Sequence, residues 1–128
     1  MENEPICTTD INGTKKWQLD GRYHREDGPA IEHTNGQYGW YLNGKLHRED
    51  GPAAKDAYGT KYWYKNGRPH RLDGPAIEHY NGTKYWYVND CNVTDLITKW
   101  SKENDIDLNN LTEMDKALIK LTWADYGK

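Results

Sequence analysis

The large apolar positions of this chain recur at a fixed interval, not as helical stripes or long strands. Trp17, Trp40, Trp63 and Trp86 are each 23 residues apart, and Gly13, Gly36, Gly59 and Gly82 keep the same spacing. The polar positions repeat with them: His24, His47 and His70; Arg25, Arg48 and Arg71; Asp27, Asp50 and Asp73, each aspartate followed by Gly-Pro-Ala. A second set of turn dipeptides runs on the same period as Asp20-Gly21, Asn43-Gly44, Asn66-Gly67 and finally Asn89-Asp90. After Asn89-Asp90 the His-Arg segment is replaced by Cys91-Asn92-Val93 and the pattern stops. Internal repetition at 20–50 residues is the mark of a repeat architecture, and here it gives three full repeats and a fourth half.

Each repeat carries two hairpin signals, since Asn-Gly and Asp-Gly suit two-residue turns with positive φ. A two-residue turn at Asn35-Gly36 sets Ile31 opposite Trp40. The same arithmetic sets Ala54 opposite Trp63 and Ile77 opposite Trp86. The second turn sets Trp17 against His24, Trp40 against His47 and Trp63 against His70. One sheet face is then expected to carry Ile (or Ala), Trp and His. The other is expected to carry Ala30, Ala53 and Ala76 opposite Tyr41, Tyr64 and Tyr87, joined by Tyr62 and Tyr85, with Glu32, Lys55 and Glu78 nearby. Each Asp-Gly-Pro is a sharp corner, because proline cannot donate to a ladder.

Past residue 93 the period changes to a helical one. Leu96, Ile97 and Trp100 predict a helix over 95–103. Thr112 with Asp115 three residues on reads as a capping box for a second helix over 113–126. That helix has two adjacent apolar stripes, Met114-Ala117-Leu118-Leu121 and Ile119-Trp123-Tyr126. The pair is expected to cap the last hairpin, with docking of a partner or a second copy as the alternative. The predicted fold is mainly β: an antiparallel β-hairpin repeat array over 12–93, a C-terminal two-helix cap over 94–128, and an unpatterned N-terminal arm over 1–11.

Composition sharpens this picture. The 128 residues include no Phe, 10 Tyr and 6 Trp, and mean hydropathy is −1.13. Tyr and Trp join a large apolar body to a polar handle, which suits half-buried sheets and contact surfaces better than an aliphatic core. No run approaches the ~20 apolar residues of a membrane-spanning helix. With a net charge of −3, no segment has the basic footprint of a nucleic-acid or anionic-membrane binder. The acidic N-terminus has no apolar stretch and the two cysteines, Cys7 and Cys91, have no metal-ligand spacing. Two free thiols in a reducing cytoplasm are therefore expected.

The 23-residue period and the core Trp40-Tyr41-Leu42-Asn43-Gly44-Lys45-Leu46-His47 resemble MORN repeats, over about residues 12–90. The stretch after the histidine departs from that family, reading His-Arg-Glu-Asp-Gly-Pro-Ala. This variant is similar to a repeat found in phage and bacterial proteins. The resemblance implies an elongated sheet used for protein contact, scaffolding or self-association, with no enzyme activity of its own.

Candidate chemistry narrows to contact. Equivalent histidines lie two strands apart, roughly 9–10 Å, whereas zinc ligands must all reach within about 2 Å of one ion. The carboxylates Glu26-Asp27 and Glu49-Asp50 recur with the repeat, while an active site is a single constellation. No catalytic, cofactor-binding or metal-ligating residue is expected. The tyrosines Tyr41, Tyr62, Tyr64, Tyr85 and Tyr87, with Arg48 and Arg71, are the candidate binding residues. The expected function is a non-enzymatic protein-protein interaction module. In the narrower form that the phage resemblance implies, it is an accessory protein that binds and inhibits a bacterial host (defence) protein. A nucleotide- or sugar-binding sponge and a self-assembling scaffold, with homo-oligomers, are the alternatives.

Overall fold

A computed structural model describes residues Glu4–Lys128. It is an antiparallel hairpin array closed at one end by two helices. The strands are short: β1 (Ile6–Thr9), β2 (Lys15–Leu19), β3 (Arg22–Tyr23), β4 (Ile31–Glu32), β5 (Tyr38–Gly39), β6 (Tyr41–Leu42), β7 (Lys45–Leu46), β8 (Ala54–Lys55), β9 (Lys61–Tyr62), β10 (Tyr64–Lys65), β11 (Arg68–Pro69), β12 (Ile77–Glu78), β13 (Lys84–Tyr85), β14 (Tyr87–Val88) and β15 (Cys91–Asn92). The helices are α1 (Thr94–Glu103) and α2 (Glu113–Trp123). One long sheet runs β1-β2-β4-β5-β8-β9-β12-β13, with β3 also paired to β2. The hairpins β6-β7, β10-β11 and β14-β15 stand apart from it as two-stranded units. Although 1–11 has no sequence pattern, Ile6–Thr9 pairs with β2 as the first strand of the long sheet. Met1–Asn3 of the expected arm lie outside the described residues.

The two turns of each repeat differ in kind, and this corrects the expected register. The second turn is the two-residue form: Asn43 and Gly44 both have positive φ, 51° and 82°, and Tyr41 pairs with Leu46. In the first turn only the glycine is left-handed, Gly36 at φ 94°. There the His33 N–H donates to the Gln37 carbonyl at 2.9 Å, so three residues form the loop. Three-residue loops with glycine in the left-handed position are the next most common hairpin connection. The extra residue moves Ile31 from Trp40 to Gly39, Ala54 from Trp63 to Tyr62, and Ile77 from Trp86 to Tyr85.

A one-residue slip exchanges the faces of a strand. Ile31, Ala54 and Ile77 therefore lie on the tyrosine face. Ala30, Ala53 and Ala76 move to the tryptophan face, where all three are fully buried. Glu32, Lys55 and Glu78, one residue past the Ile/Ala row, move to the tryptophan face with them.

Tryptophan is the corner of each repeat. The Trp40 N–H donates to Ala53 O in the long sheet at 2.6 Å, and its carbonyl accepts from His47 N in the small hairpin at 2.9 Å. Trp17 and Trp63 do the same with Ala30 and His24, and with Ala76 and His70. One residue thus hands the chain from one ladder to the other. The small hairpins also stack on each other. Arg25, Arg48 and Arg71 donate backbone N–H groups to the carbonyls of Tyr41, Tyr64 and Tyr87 in the next repeat, at 3.0–3.1 Å.

At the fourth corner the array ends. No further repeat offers Trp86 a carbonyl, and its N–H donates instead to the Thr94 hydroxyl at 2.9 Å. The helices then bury the end of the stack. Trp86, Val88, Val93, Ile97, Ile119 and Trp123 form one core, with Leu72, Cys91, Trp100, Leu108 and Leu111 packed around it. The expected capping box is present: Asp115 N–H donates to the Thr112 hydroxyl and Thr112 N–H to the Asp115 carboxylate, both at 3.0 Å. Asn89 ties the C-terminus down through its amide, which donates to Ala124 O and Tyr126 O. Of the two stripes on α2, Ile119 and Trp123 face inward, while Met114 and Leu121 are 81% and 83% exposed.

These burials set the expected stabilities. Ile119→Ala should destabilise the protein by about 2–5 kcal/mol, because it opens a cavity where α2 meets the last hairpin. Leu121→Ala should change stability by less than about 0.5 kcal/mol. Urea denaturation of both variants, followed by tryptophan fluorescence, checks the pair.

Candidate interaction surface

The tyrosines that the sequence singles out do share a face. Gly39 shows how: a Cβ there would lie 2.7 Å from the Tyr41 ring and 3.3 Å from Ile31 Cγ2. The Tyr41 ring of β6 therefore folds back over the empty side of β5. In the next two repeats the Gly39 position is occupied by Tyr62 and Tyr85. The Tyr62 and Tyr64 rings meet edge-on at 6.4 Å, and Tyr23 and Tyr41 lie 5.3 Å apart. The row across the long sheet beside them reads Lys16, Ile31, Gly39, Ala54, Tyr62, Ile77, Tyr85. Tyr41, Tyr62, Tyr64 and Tyr87 are half-buried and Tyr85 is exposed. Burial, with Tyr23 close by, raises the Tyr41 phenol above its ordinary value. Burial likewise raises Tyr64, with Tyr87 and Asp90 adding to it. These phenols are neutral at any physiological pH and present hydrogen-bonding tips on an apolar surface.

The cap leaves this face open. Tyr87 and Val88 are adjacent in β14 and point to opposite sides; Val88 is buried under the helices and Tyr87 is not. The helical core contains none of the five tyrosines.

Arg48 and Arg71 are placed differently. Each guanidinium lies over the tryptophan eight residues earlier, Arg48 on Trp40 at 4.0 Å and Arg71 on Trp63 at 3.8 Å, as Arg25 does on Trp17. Each donates from Nε to the aspartate two residues on and from a terminal nitrogen to the proline carbonyl four residues on, at 2.8–3.1 Å. Gly28, Gly51 and Gly74 give the guanidinium its room, since a Cβ at any of them would stand under 3.0 Å from it. Arg71 and Arg25 gain a second acid, Glu78 at 2.8 Å and Glu32 at 3.7 Å; the third repeat position is Lys55. These arginines rivet the corners on the tryptophan face and are not brought to the tyrosines. Asp50 sits below the ordinary carboxylate range through the hydrogen bond and charge of Arg48. Asp73 is lowered too: burial pulls it up, but the hydrogen bond and charge of Arg71, its own backbone N–H and the charge of Lys120 together outweigh that.

The histidines have a role that sequence reasoning missed. His24, His47 and His70 each accept, at Nδ1, the backbone N–H of the turn asparagine in the following repeat: Asn43 at 3.0 Å, Asn66 at 3.0 Å and Asn89 at 2.8 Å. The ring therefore carries its proton on Nε2. The signal was present as an invariant His-to-Asn spacing of 19. It was present also in Val93, which replaces the fourth histidine where no further turn offers an N–H. A second missed feature is a ledge at the turn tips. Tyr58 and Tyr80 are 78% and 61% exposed with rings 5.6 Å apart, and His79 stacks on Tyr80 at 4.6 Å.

Among the described residues no three His, Cys, Asp or Glu converge on one point. Both cysteines are free, and among the described residues no helix is long and apolar enough to cross a membrane. Shallow grooves of about 460 and 550 Å³ lie between successive corners. Each combines Arg48 with Glu49 and Asp50; the first sets four cationic side chains against three carboxylates, the second two arginines against four carboxylates. No family model, curated protein or solved structure matches this chain.

The histidine clamp sets a pH dependence. Burial, with the charges of Lys65 and Lys128, lowers His70 below its ordinary value of 6.5. The unfolded chain then binds the proton more readily than the folded one. The stability that neutral His70 contributes is complete above that ordinary value and is lost as pH falls through the lowered folded value. The melting temperature should drop between about pH 7 and pH 5, ahead of carboxylate titration. His70→Ala should cost about 1–2 kcal/mol at pH 8 and show a shallower slope across that window. Thermal melts of both proteins from pH 8 to pH 5 measure it.

Proposed function

We propose that this chain is a non-enzymatic protein-binding module whose contact surface is the tyrosine face of the long sheet. One observation carries the reading: Ile31, Ile77, Tyr62 and Tyr85 line one row of that face, and the helices pack against the opposite side of the last hairpin. A contiguous apolar patch with polar rims on a folded chain marks a contact site. Tyrosine is enriched at such sites because it covers much area at low entropic cost. The three-residue loop supports the reading further, since it adds isoleucines to a face that the repeat pattern alone leaves to tyrosine and alanine. The corner arginines contribute by holding the face rigid. The narrower reading, a phage accessory protein that inhibits a host protein, rests on the repeat resemblance alone.

The test is capture from a bacterial lysate with wild type and a Tyr62→Ser/Tyr85→Ser variant side by side, followed by calorimetric titration of any stoichiometric partner. Wild type should bind, and the double variant should bind at least about 30-fold more weakly with an unchanged circular dichroism spectrum. Equal affinity of a folded variant would overturn the assignment of the face.

A further inference from the structure

The outward side of α2 is an exposed apolar stripe. Met114, Ala117, Leu118 and Leu121 fall at positions i, i+3, i+4 and i+7 of the helix and all four are exposed, Met114 and Leu121 more than four-fifths. The other face of α2 supplies Ile119 and Trp123 to the core, so the stripe is not needed to hold the helix in place. Leaving two long aliphatic side chains in water on one helix is unfavourable, and such a stripe marks an interaction site.

We propose that α2 pairs antiparallel with α2 of a second copy of this chain, forming a two-fold symmetric dimer. The argument is self-complementarity. With the axis between Ala117 and Leu118, Met114 packs on the partner's Leu121, and Ala117 packs on the partner's Leu118, small against large. Charge follows the same symmetry. Glu113 and Lys120 lie on one flank of the stripe, seven residues apart, and antiparallel pairing sets each Glu113 beside the partner's Lys120, twice over. In a parallel pair this flank falls on opposite sides of the two-fold axis in the two copies, so Glu113 and the partner's Lys120 would not meet. Opposed helix dipoles favour the same direction. Glu113 is held now only by a surface contact of 3.3 Å to Lys116, which leaves it free to exchange partners. This dimer is independent of the tyrosine face, which lies on the long sheet.

Four side chains bury less than the ~800 Å² per partner of a standard interface, so the dimer should dissociate on dilution, at about 10–100 μM. Sedimentation equilibrium on the full chain at neutral pH is the experiment. Wild type should dimerise, and Leu121→Glu should be monomeric at every concentration with an unchanged melting temperature. Lys120→Glu alone should weaken the dimer about tenfold by facing Glu113 with a like charge. Adding Glu113→Lys should restore it to within about twofold, which only the antiparallel arrangement permits. A wild-type monomer up to about 500 μM would overturn the proposal. So would a dimer indifferent to Leu121→Glu, or a Lys120→Glu defect that Glu113→Lys does not repair.

Discussion

The corner at each tryptophan is the constraint on which everything else rests. A chain of mostly two-residue strands cannot bury enough surface to hold a sheet, and this one has no phenylalanine and few aliphatics to help. It survives because each of the first three corners, at Trp17, Trp40 and Trp63, is fixed three ways. The tryptophan backbone belongs to two ladders at once, its N–H to the long sheet and its C=O to the small hairpin. Its ring is covered by the arginine eight residues on, at 3.8–4.0 Å. That arginine in turn ties down the Asp-Gly-Pro segment that starts the next repeat. Arginine suits this place better than lysine, because its planar fork stacks on the ring while donating in plane to two acceptors.

From the corner follows the stacking. Once the small hairpins stand at a fixed angle to the sheet, each turn asparagine comes within reach of the histidine of the repeat before it. Each repeat thereby contacts chiefly its neighbours, which is the energetic logic of solenoids. The ends of such an array are the problem to solve. The C-terminal end solves it with substitutions that match the missing partners. Val93 stands where a histidine would have no donor to accept, Thr94 gives Trp86 N–H an acceptor, and Asn89 reaches the last turn of α2. Because the helices serve this end, both the tyrosine face and the outer side of α2 stay in water.

Several parts of this were legible in the sequence because they are local. A period of 23, turn dipeptides with two left-handed residues, a capping box and a break at Asn89-Asp90 each constrain a few consecutive residues. The tyrosine column was legible too, since Tyr41, Tyr64 and Tyr87 occupy one position of the repeat. The first turn was not. A glycine with positive φ serves a two-residue and a three-residue loop equally well, and the dipeptide Asn35-Gly36 fits both. The choice between them moved Ile31 and Ala30 to opposite faces, and with them Glu32, which then met Arg25.

What the sequence by itself determined is therefore the number of repeats, where they end, and which residues turn the chain. Those properties depend on backbone preferences that each residue carries with it. What only the tertiary structure decided is the register of the first turn, the engagement of Arg48 and Arg71 in the corners, and which stripe of α2 lies inward. Each of these turns on partners distant in the chain. Ala30, Ala53 and Ala76 become fully buried on the tryptophan face, the arginines find glycines with room for a guanidinium, and Ile119 and Trp123 meet Val88 and Val93 only once the last hairpin has closed.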